Sequence, residues 1–281
     1  MTDLISVVLA LYNGEKYIKE QLVSIINQTK PVQEIVICDD CSTDKSIDIV
    51  QELKEMTLGI SFKIIQNKKN LGYIRNFHEG ISASKGDFIF LADQDDIWMP
   101  DKVEVMLRFM KESNATLACS NFSLIDQDGK DIVGEYQIPK FILEAPSGVS
   151  KIDLHSLLYG NVAQGCTYCF TSQVKKIYLE MENFDIIHDY QLMLIAAALG
   201  GAVLINSKLI KYRLHGNNSV GFKEKKDLSH VKFHFPFSKP KVMTIMQFLR
   251  PYLSKKEYRK CKVVLYLRLP VWKAVINRFL K

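Results

Sequence analysis

Four short apolar runs, at residues 5–11, 34–38, 61–65 and 88–92, alternate with helix-patterned segments over the first third of the chain. The first, second and fourth runs are near-continuously apolar rather than apolar at every second position, so they predict strands buried on both faces, while 61–65, with Ser61 and Lys63, reads simply as a third strand. Between them, residues 15–28 place Ile18, Leu22, Ile25 and Ile26 on one helical face, and Pro31 ends that helix. A second helix runs to Met56, with Ser42 or Thr43 as its cap, and a third follows the Asn70-Leu71-Gly72 turn to Ser84. Strand–helix alternation of this kind admits few solutions. The expected fold class is α/β, a parallel sheet with helices on both faces.

In such a sheet ligands gather at the carboxyl ends of the strands. The polar clusters fall there: Tyr12-Asn13-Gly14 after the first run, Asp39-Asp40 after the second, Asp93-Gln94-Asp95-Asp96 after the fourth. Three carboxylates within four residues repel one another, and a turn does not require them. A hard divalent cation, Mn²⁺ or Mg²⁺, is the simplest counter-charge, and it implies a phosphate-bearing substrate. The plainer reading is a solvated acidic turn that caps the next helix. No GxGxxG and no GxxxxGK[ST] occurs, which argues against a dinucleotide fold or a P-loop.

Further along, the pattern predicts a helix at 101–113, a strand at 115–126 and a hairpin-like turn at Asp126-Gln127-Asp128-Gly129. Residues 131–149, with Pro139, Pro146 and Gly148, read as a loop able to cover a site. Residues 154–158, 174–181 and 189–199 read as helical, and 202–205 as a short strand. The six cysteines have no disulfide-framework spacing, and the lone Cys166-Thr167-Tyr168-Cys169 has no second ligand pair, so buried free thiols are expected. With no secretory leader and no apolar run long enough to span a bilayer, a cytoplasmic protein is expected.

Charge divides the chain. Residues 222–281 carry 16 Lys+Arg against 3 Asp+Glu, while residues 1–221 carry 21 against 28. The division suggests a body at 1–221 and a basic amphipathic extension at 222–281 lying on an anionic membrane surface. The alternative is a solvated helical tail packed on the body. No recognition motif accompanies the charge, so nucleic acid is not an expected partner.

Taken in order, residues 5–14 (ISVVLALYNG), Asp39 to Asp44, Asn70-Leu71-Gly72 with Arg75-Asn76, 92–96, His188-Asp189 and Tyr212 to Gly216 resemble the motifs of family 2 glycosyltransferases. The resemblance spans about residues 4–221. The wording of LADQDDIW and YRLHGNNSVG is similar to rhamnosyltransferase-like members of bacterial surface polysaccharide synthesis. It implies a GT-A fold, a Rossmann-like mixed and mainly parallel sheet, and transfer with inversion from a dTDP- or UDP-sugar to a saccharide or lipid-linked acceptor. It also implies work at the inner face of the plasma membrane, and it leaves the oligomeric state open, a homodimer included.

By that resemblance Asp189 is the base, and Asp95 and His215 are metal ligands. Asp93 holds the ribose or the metal's surroundings, beside Gln94. Tyr12 stacks on a pyrimidine, Asp40 accepts from its ring N–H, and Asp39 orients Asp40. Asn13, Glu15 and Arg75 are further donor contacts. Ala10 stands where relatives often carry Thr or Pro. Gly165, Cys166 and Thr167 open the acceptor side. His188 replaces the Glu that many relatives carry before the base. Asp96 contacts the acceptor, supports its loop or caps a helix. Trp98 is a sugar-stacking wall or a core residue. Arg213 offsets diphosphate charge or pairs on the surface. Two other classes compete. A nucleotidyltransferase or sugar-nucleotide hydrolase would place a basic residue where Glu15 stands. An inactive membrane-docking module would not need Asp93, Asp95, Asp189 and His215.

Overall fold

The computed structural model describes residues 3–132, 148–158, 160–216 and 239–267. Its first half follows the expected alternation: β1 (Ile5–Leu11), α1 (Ile18–Ile26), β2 (Glu34–Asp39), α2 (Ser46–Met56), β3 (Ser61–Gln66), α3 (Tyr73–Ala83) and β4 (Phe88–Asp93). These strands pair in parallel in the order β3-β2-β1-β4. Ala10 is in register with both Cys38 and Asp93. The polar segments after β1, β2 and β4 therefore leave the sheet at one edge.

The sheet then continues with mixed polarity. β8 (Tyr168–Thr171) pairs antiparallel with both β4 and β6 (Leu117–Ile125). Beyond β6 lies β9 (Ala202–Arg213), which also pairs with β5 (Ile97–Trp98) and β7 (Val149–Lys151). β9 is three times the length that its apolar opening suggests. Asn206, Ser207 and Lys208 interrupt the apolar pattern, but a register irregularity opposite Ser120–Phe122 lets the strand pass this polar stretch and resume at Leu209 and Ile210. That extension delivers Arg213 and His215 to the site edge. β5 and β8 were not expected, being two and four residues long.

Two apolar layers cover the sheet. On one face Val7, Leu9, Leu11, Ile35, Ile37 and Phe90 pack under α1, α2 and α4 (Lys102–Glu112). On the other, Val8, Val36, Ile89 and Leu91 meet α3, α6 (Ser172–Met181) and α7 (His188–Ala198). The alternation of inward residues within single strands shows why the runs of β1, β2 and β4 are near-continuously apolar. α3 lies close on this face: a Cβ at Gly80 would stand 2.4 Å from Val8 Cγ1 and 2.8 Å from Cys38 Sγ. α7 is buried at every position, so it carries no amphipathic signal.

α5 (Leu154–Leu157), α8 (Lys239–Phe248) and α9 (Lys255–Leu267) complete the described elements. Val242, Ile245, Met246, Leu249, Cys261 and Leu265 belong to the same apolar layer as α7. This part of the basic extension packs on the body, and its apolar side faces the core rather than outward. All six cysteines are free thiols. Burial pushes the Cys119 thiol up to about 12. Asp126 and Gly129 form the expected turn, Gly129 at φ +81 and donating its N–H to the Asp126 carbonyl at 3.1 Å. Most of the expected covering loop, residues 133–147, lies outside the described residues, as do residues 217–238 and 268–281 of the tail region. Among the described residues no helix is long and apolar enough to cross a membrane.

Candidate active site

At the carboxyl edge of the sheet the segments after β1 and β4 are laced together. Gln94 donates from Nε2 to the Tyr12 carbonyl at 3.0 Å, and its Oε1 accepts from Tyr12 N–H at 2.7 Å. The Asn13 side chain accepts from Thr43 N–H, and Glu15 accepts from Lys45 N–H. Ser42 accepts from Asn13 N–H at 2.9 Å and does not cap α2; Asp44 accepts there instead, from Ser46 N–H at 3.0 Å.

Between these segments and the start of α7 opens a cleft of about 1250 Å³. Ala10, Tyr12, Asn13, Asp93, Gln94, Asp95, Gly165, Cys166, His188, Asp189 and His215 line it. Tyr12 is 49% exposed and free to receive a flat ring.

Eight other expected residues do not line the cleft, and each has a structural occupation. Asp39 accepts from Ser42 N–H. Asp40 is buried and accepts from Asn67 Nδ2 at 3.0 Å, Leu71 N–H at 2.7 Å and Gly72 N–H at 2.8 Å, so it pins the turn that leads into α3. Glu15 is committed as above. Arg75 lies over the Phe184 ring at 4.0 Å. Thr167 is buried and donates to the Gln164 carbonyl. Trp98 is core, tilted against Phe90 with the Lys102 ammonium 3.8 Å above its ring, and is no sugar wall. Asp96 is 1% exposed, lies outside the cleft lining and caps no helix; its Oδ1 accepts Arg213 N–H at 3.1 Å, and its carboxyl sits within 4.8 Å of the Cys166 thiol on the acceptor side.

Arg213 is buried as well, so it is neither a surface pair nor a wall of the cleft. Its Nε donates to the Asp95 carbonyl at 2.7 Å and Nη2 to Glu20 at 2.5 Å, and its guanidinium faces the Tyr17 ring at 4.7 Å. The same Tyr17 ring stacks on His215 at 5.2 Å. Arg213 thus braces the acidic loop from behind, two residues before His215. His215 Nε2 lies 2.7 Å from Asp95 Oδ2, with both side chains mostly buried at the cleft wall.

This carboxylate–imidazole pair, with Asp93 beside it, fits a divalent cation that takes O and N ligands, as Mn²⁺ does. Asp93, Asp96 and Cys166 also bring ligand atoms within 4.8 Å of one another. That second group suits Mn²⁺ or Mg²⁺ less well, since it pairs a thiol with a carboxylate already holding Arg213. Burial, and then the Asp95 charge, pushes Asp93 up to about 7. Behind it Lys102 is fully buried and donates from Nζ to the Cys166 carbonyl at 2.9 Å; burial lowers it to about 7. The sequence reading did not single out Lys102. Its one signal was its position on the helical face of Val103, Met106 and Met110. Gln21, also missed, is fully buried and donates to the Asp93 carbonyl at 3.0 Å.

Across the cleft, Asp189 opens α7 and accepts from Tyr190 N–H and Gly165 N–H. Burial drives its carboxyl up to about 7, the nearby Asp93 adding to the rise. A carboxylate poised near neutrality can take a proton from a bound hydroxyl. His188 stacks on Phe77 at 4.2 Å, and burial lowers it to about 3, so it is a neutral neighbour of the base. A Cβ on Gly165 would approach Asp189 Cβ at 3.2 Å and His188 Nε2 at 3.3 Å, so the turn after Gln164 fits closely against both.

The profile of "Glycosyl transferase family 2" matches residues 6–175, which is more than half of the chain. The chain belongs to this family. It is similar to the "Putative teichuronic acid biosynthesis glycosyltransferase TuaG" of Bacillus subtilis, 29% identical over 77% of this chain and 81% of that one. It is also similar to the "dTDP-rhamnosyl transferase RfbG" of Shigella flexneri, 30% identical over 76% of this chain and 73% of that one. Among solved structures, S. aureus TarS 1–349 in complex with UDP-GlcNAc superimposes with a TM-score of 0.63 at 17% identity, over 92% of this chain and 70% of that one. A mannosyltransferase of Pyrobaculum calidifontis in complex with GDP-Man and Mn²⁺ gives 0.54 at 15% identity, over 74% and 55%. The fold is GT-A-like, and the expected family and fold class both hold.

Proposed function

We propose that the protein transfers a sugar, with inversion, from a pyrimidine nucleoside-diphosphate sugar to a saccharide or lipid-linked acceptor in bacterial surface polysaccharide synthesis, at the cytoplasmic face of the membrane. One observation carries the reading. A carboxyl raised to about 7, Asp189, lines the same cleft as the Asp95–His215 pair.

In this reaction the acceptor oxygen attacks the anomeric carbon as the bond from that carbon to the diphosphate oxygen breaks. The nucleoside diphosphate departs with the electron pair, and the acceptor proton passes to the Asp189 carboxylate. Tyr12 provides a surface for the base, with Asn13 beside it. Asp40 shapes the donor side by fixing the Leu71–Gly72 turn. Asp95 and His215, with Asp93 nearby, would hold Mn²⁺ or Mg²⁺. Such an ion offsets the charge gathering on the departing diphosphate. Arg213 and Gln21 keep the backbone of the acidic loop in place, and Gly165 leaves room beside the base. The names of relatives support a dTDP-rhamnose or UDP-sugar donor.

A panel of UDP- and dTDP-sugars, with Mn²⁺ and a lipid-linked saccharide acceptor, tests the proposal through nucleotide release and the anomeric configuration of the product. One preferred pyrimidine donor with inverted product is expected. Retention of configuration, or release of nucleoside monophosphate, would overturn it.

A further inference from the structure

In its described part, residues 239–267, the basic extension turns its main apolar side toward the body. The apolar side of α9, Cys261 and Leu265, is buried against the body. What α9 leaves outside is mostly charge, with Val263 exposed beside it. Lys255, Lys256, Arg259 and Lys260 are all exposed, and with His155, Val263 and Val264 they line an open groove of about 760 Å³. None of the four cations forms an ion pair among the described residues. Two carboxylates neighbour the groove residues in sequence, and both are engaged locally. Glu257 accepts from Ser254 N–H and Oγ, and Asp153 accepts from Ser156 N–H and lies 3.2 Å from His155 Nδ1, which leaves the four Lys and Arg side chains as the free cations among the described residues. Four cations against two occupied acids leave a positive face.

We infer that this face of α9, with His155 of α5, docks on an anionic phospholipid surface through headgroup phosphates. Two observations favour lipid over nucleic acid. The lining contains no Tyr, Phe or Trp on which bases would stack. Val263 is 54% exposed at the groove edge, where an interfacial aliphatic side chain suits a headgroup–acyl boundary. The sequence that follows α9 adds Arg268, Lys273, Arg278 and Lys281 with no acid, which strengthens attraction to any anionic surface.

The face is also joined to the cleft. α9 packs on α5. The Leu157 carbonyl at the end of α5 accepts from Tyr190 Oη at 2.5 Å, next to the base. The chain then runs on through Asn161 to Gly165, which line the cleft beside Asp189. Docking there brings the wall next to the base towards the surface that carries a lipid-linked acceptor, a consequence that rests on the proposed function.

Co-sedimentation with vesicles tests the docking, using the full chain without donor or acceptor. Wild type should bind phosphatidylglycerol/phosphatidylcholine vesicles in about 50 mM salt and ignore pure phosphatidylcholine, and about 500 mM salt should release it. Each Lys or Arg near such a surface strengthens binding about five-fold. The Lys255→Gln/Lys256→Gln/Arg259→Gln/Lys260→Gln variant should therefore lose on the order of several hundred-fold, with melting temperature and nucleotide binding unchanged. The two double variants, Lys255→Gln/Lys256→Gln and Arg259→Gln/Lys260→Gln, should each lose about 25-fold, which guards against misfolding of the quadruple one. Wild type that ignores anionic vesicles would overturn the inference, as would variants that bind them equally well. Retention on single-stranded RNA without vesicle binding would do the same. Normal vesicle binding without sugar transfer would instead overturn only the reading of the cleft.

Discussion

Replacing Asp189 by Asn separates the catalytic and structural roles of one buried carboxyl. Its pKa of about 7, against an ordinary 3.8, arises chiefly from burial. The group is 7% exposed, so solvent screening is weak. A carboxyl with a raised folded-state pKa favours folding fully only below its unfolded value. That contribution fades between pH 4 and 7, as the folded protein ionises a buried acid. Three pH units at 1.36 kcal/mol each set the loss at up to about 4 kcal/mol above pH 7. Asn is nearly isosteric, stays neutral, and can still accept from the Tyr190 and Gly165 N–H groups. The variant should match wild type in stability near pH 4 and exceed it at pH 8. Turnover should meanwhile fall by about 10²–10⁴, the range of a lost general base, with nucleotide binding intact. In wild type, turnover should climb as pH rises through 7, because only the ionised carboxyl accepts the acceptor proton. Urea melts at pH 4 and 8, with nucleotide release and calorimetry, provide the readouts. Near-wild-type turnover, or equal losses of donor binding and turnover, would refute the base assignment. A variant no more stable at pH 8 would refute the burial argument.

Asp95→Asn should weaken Mn²⁺-dependent nucleotide binding by at least about ten-fold in a calorimetric titration, and normal binding would remove Asp95 from the metal site. Arg213→Gln should lower stability by about 2–3 kcal/mol in urea melts, because the bonds to Glu20 and to the Asp95 carbonyl are lost together. It should weaken metal affinity as well, whereas a purely structural arginine would leave that unchanged. Trp98→Phe should cost about 1–2 kcal/mol of stability yet leave the KM for donor and acceptor within about two-fold, since the ring is walled off from the cleft.

The strand ends were legible because physics concentrates both signals there. A strand covered on both faces must be apolar throughout, and the residues just past it are free to carry chemistry. Asp93, Asp95 and Tyr12 could be placed from that rule alone. Asp40 and Arg75 were legible as motif residues but not as contacts: sequence fixes neither whether a carboxylate points at a ligand or a turn, nor which ring a guanidinium covers. β8 was hidden because it is four residues long and begins inside a CxxC spacing, which draws no strand pattern. The second half of β9 was hidden because a register irregularity removes the periodicity on which strand recognition depends. Lys102 was hidden for a further reason. A lysine in the first turn of a surface helix is usually solvated, and only three-dimensional packing shows that this one is enclosed beneath the site. The tail's charge was legible, but the direction in which α8 and α9 turn their apolar sides was not, and for these helices that direction separates insertion into a membrane from electrostatic docking on it.

The three acids after β4 are tolerated because each has a different counterpart. Asp95 meets His215, Asp96 accepts a backbone N–H of Arg213, and burial with the neighbouring acids pushes both Asp93 and Asp96 above the usual carboxylate range. Arg213 contributes positive charge from behind the cleft wall, where solvent does not screen it, and Lys102, lowered to about 7 by burial, adds charge only in its protonated fraction. Asp189 stands apart from this group, yet close enough that Asp93 adds to its raised pKa. A cation arriving beside Asp93 and Asp95 would cancel that repulsion and lower the Asp189 pKa. The base would then ionise more readily once the metal–nucleotide complex is in place. The alkaline rise in turnover should accordingly shift to lower pH as Mn²⁺ approaches saturation. A pH profile that does not move with metal concentration would show that the two sides of the cleft are electrostatically independent.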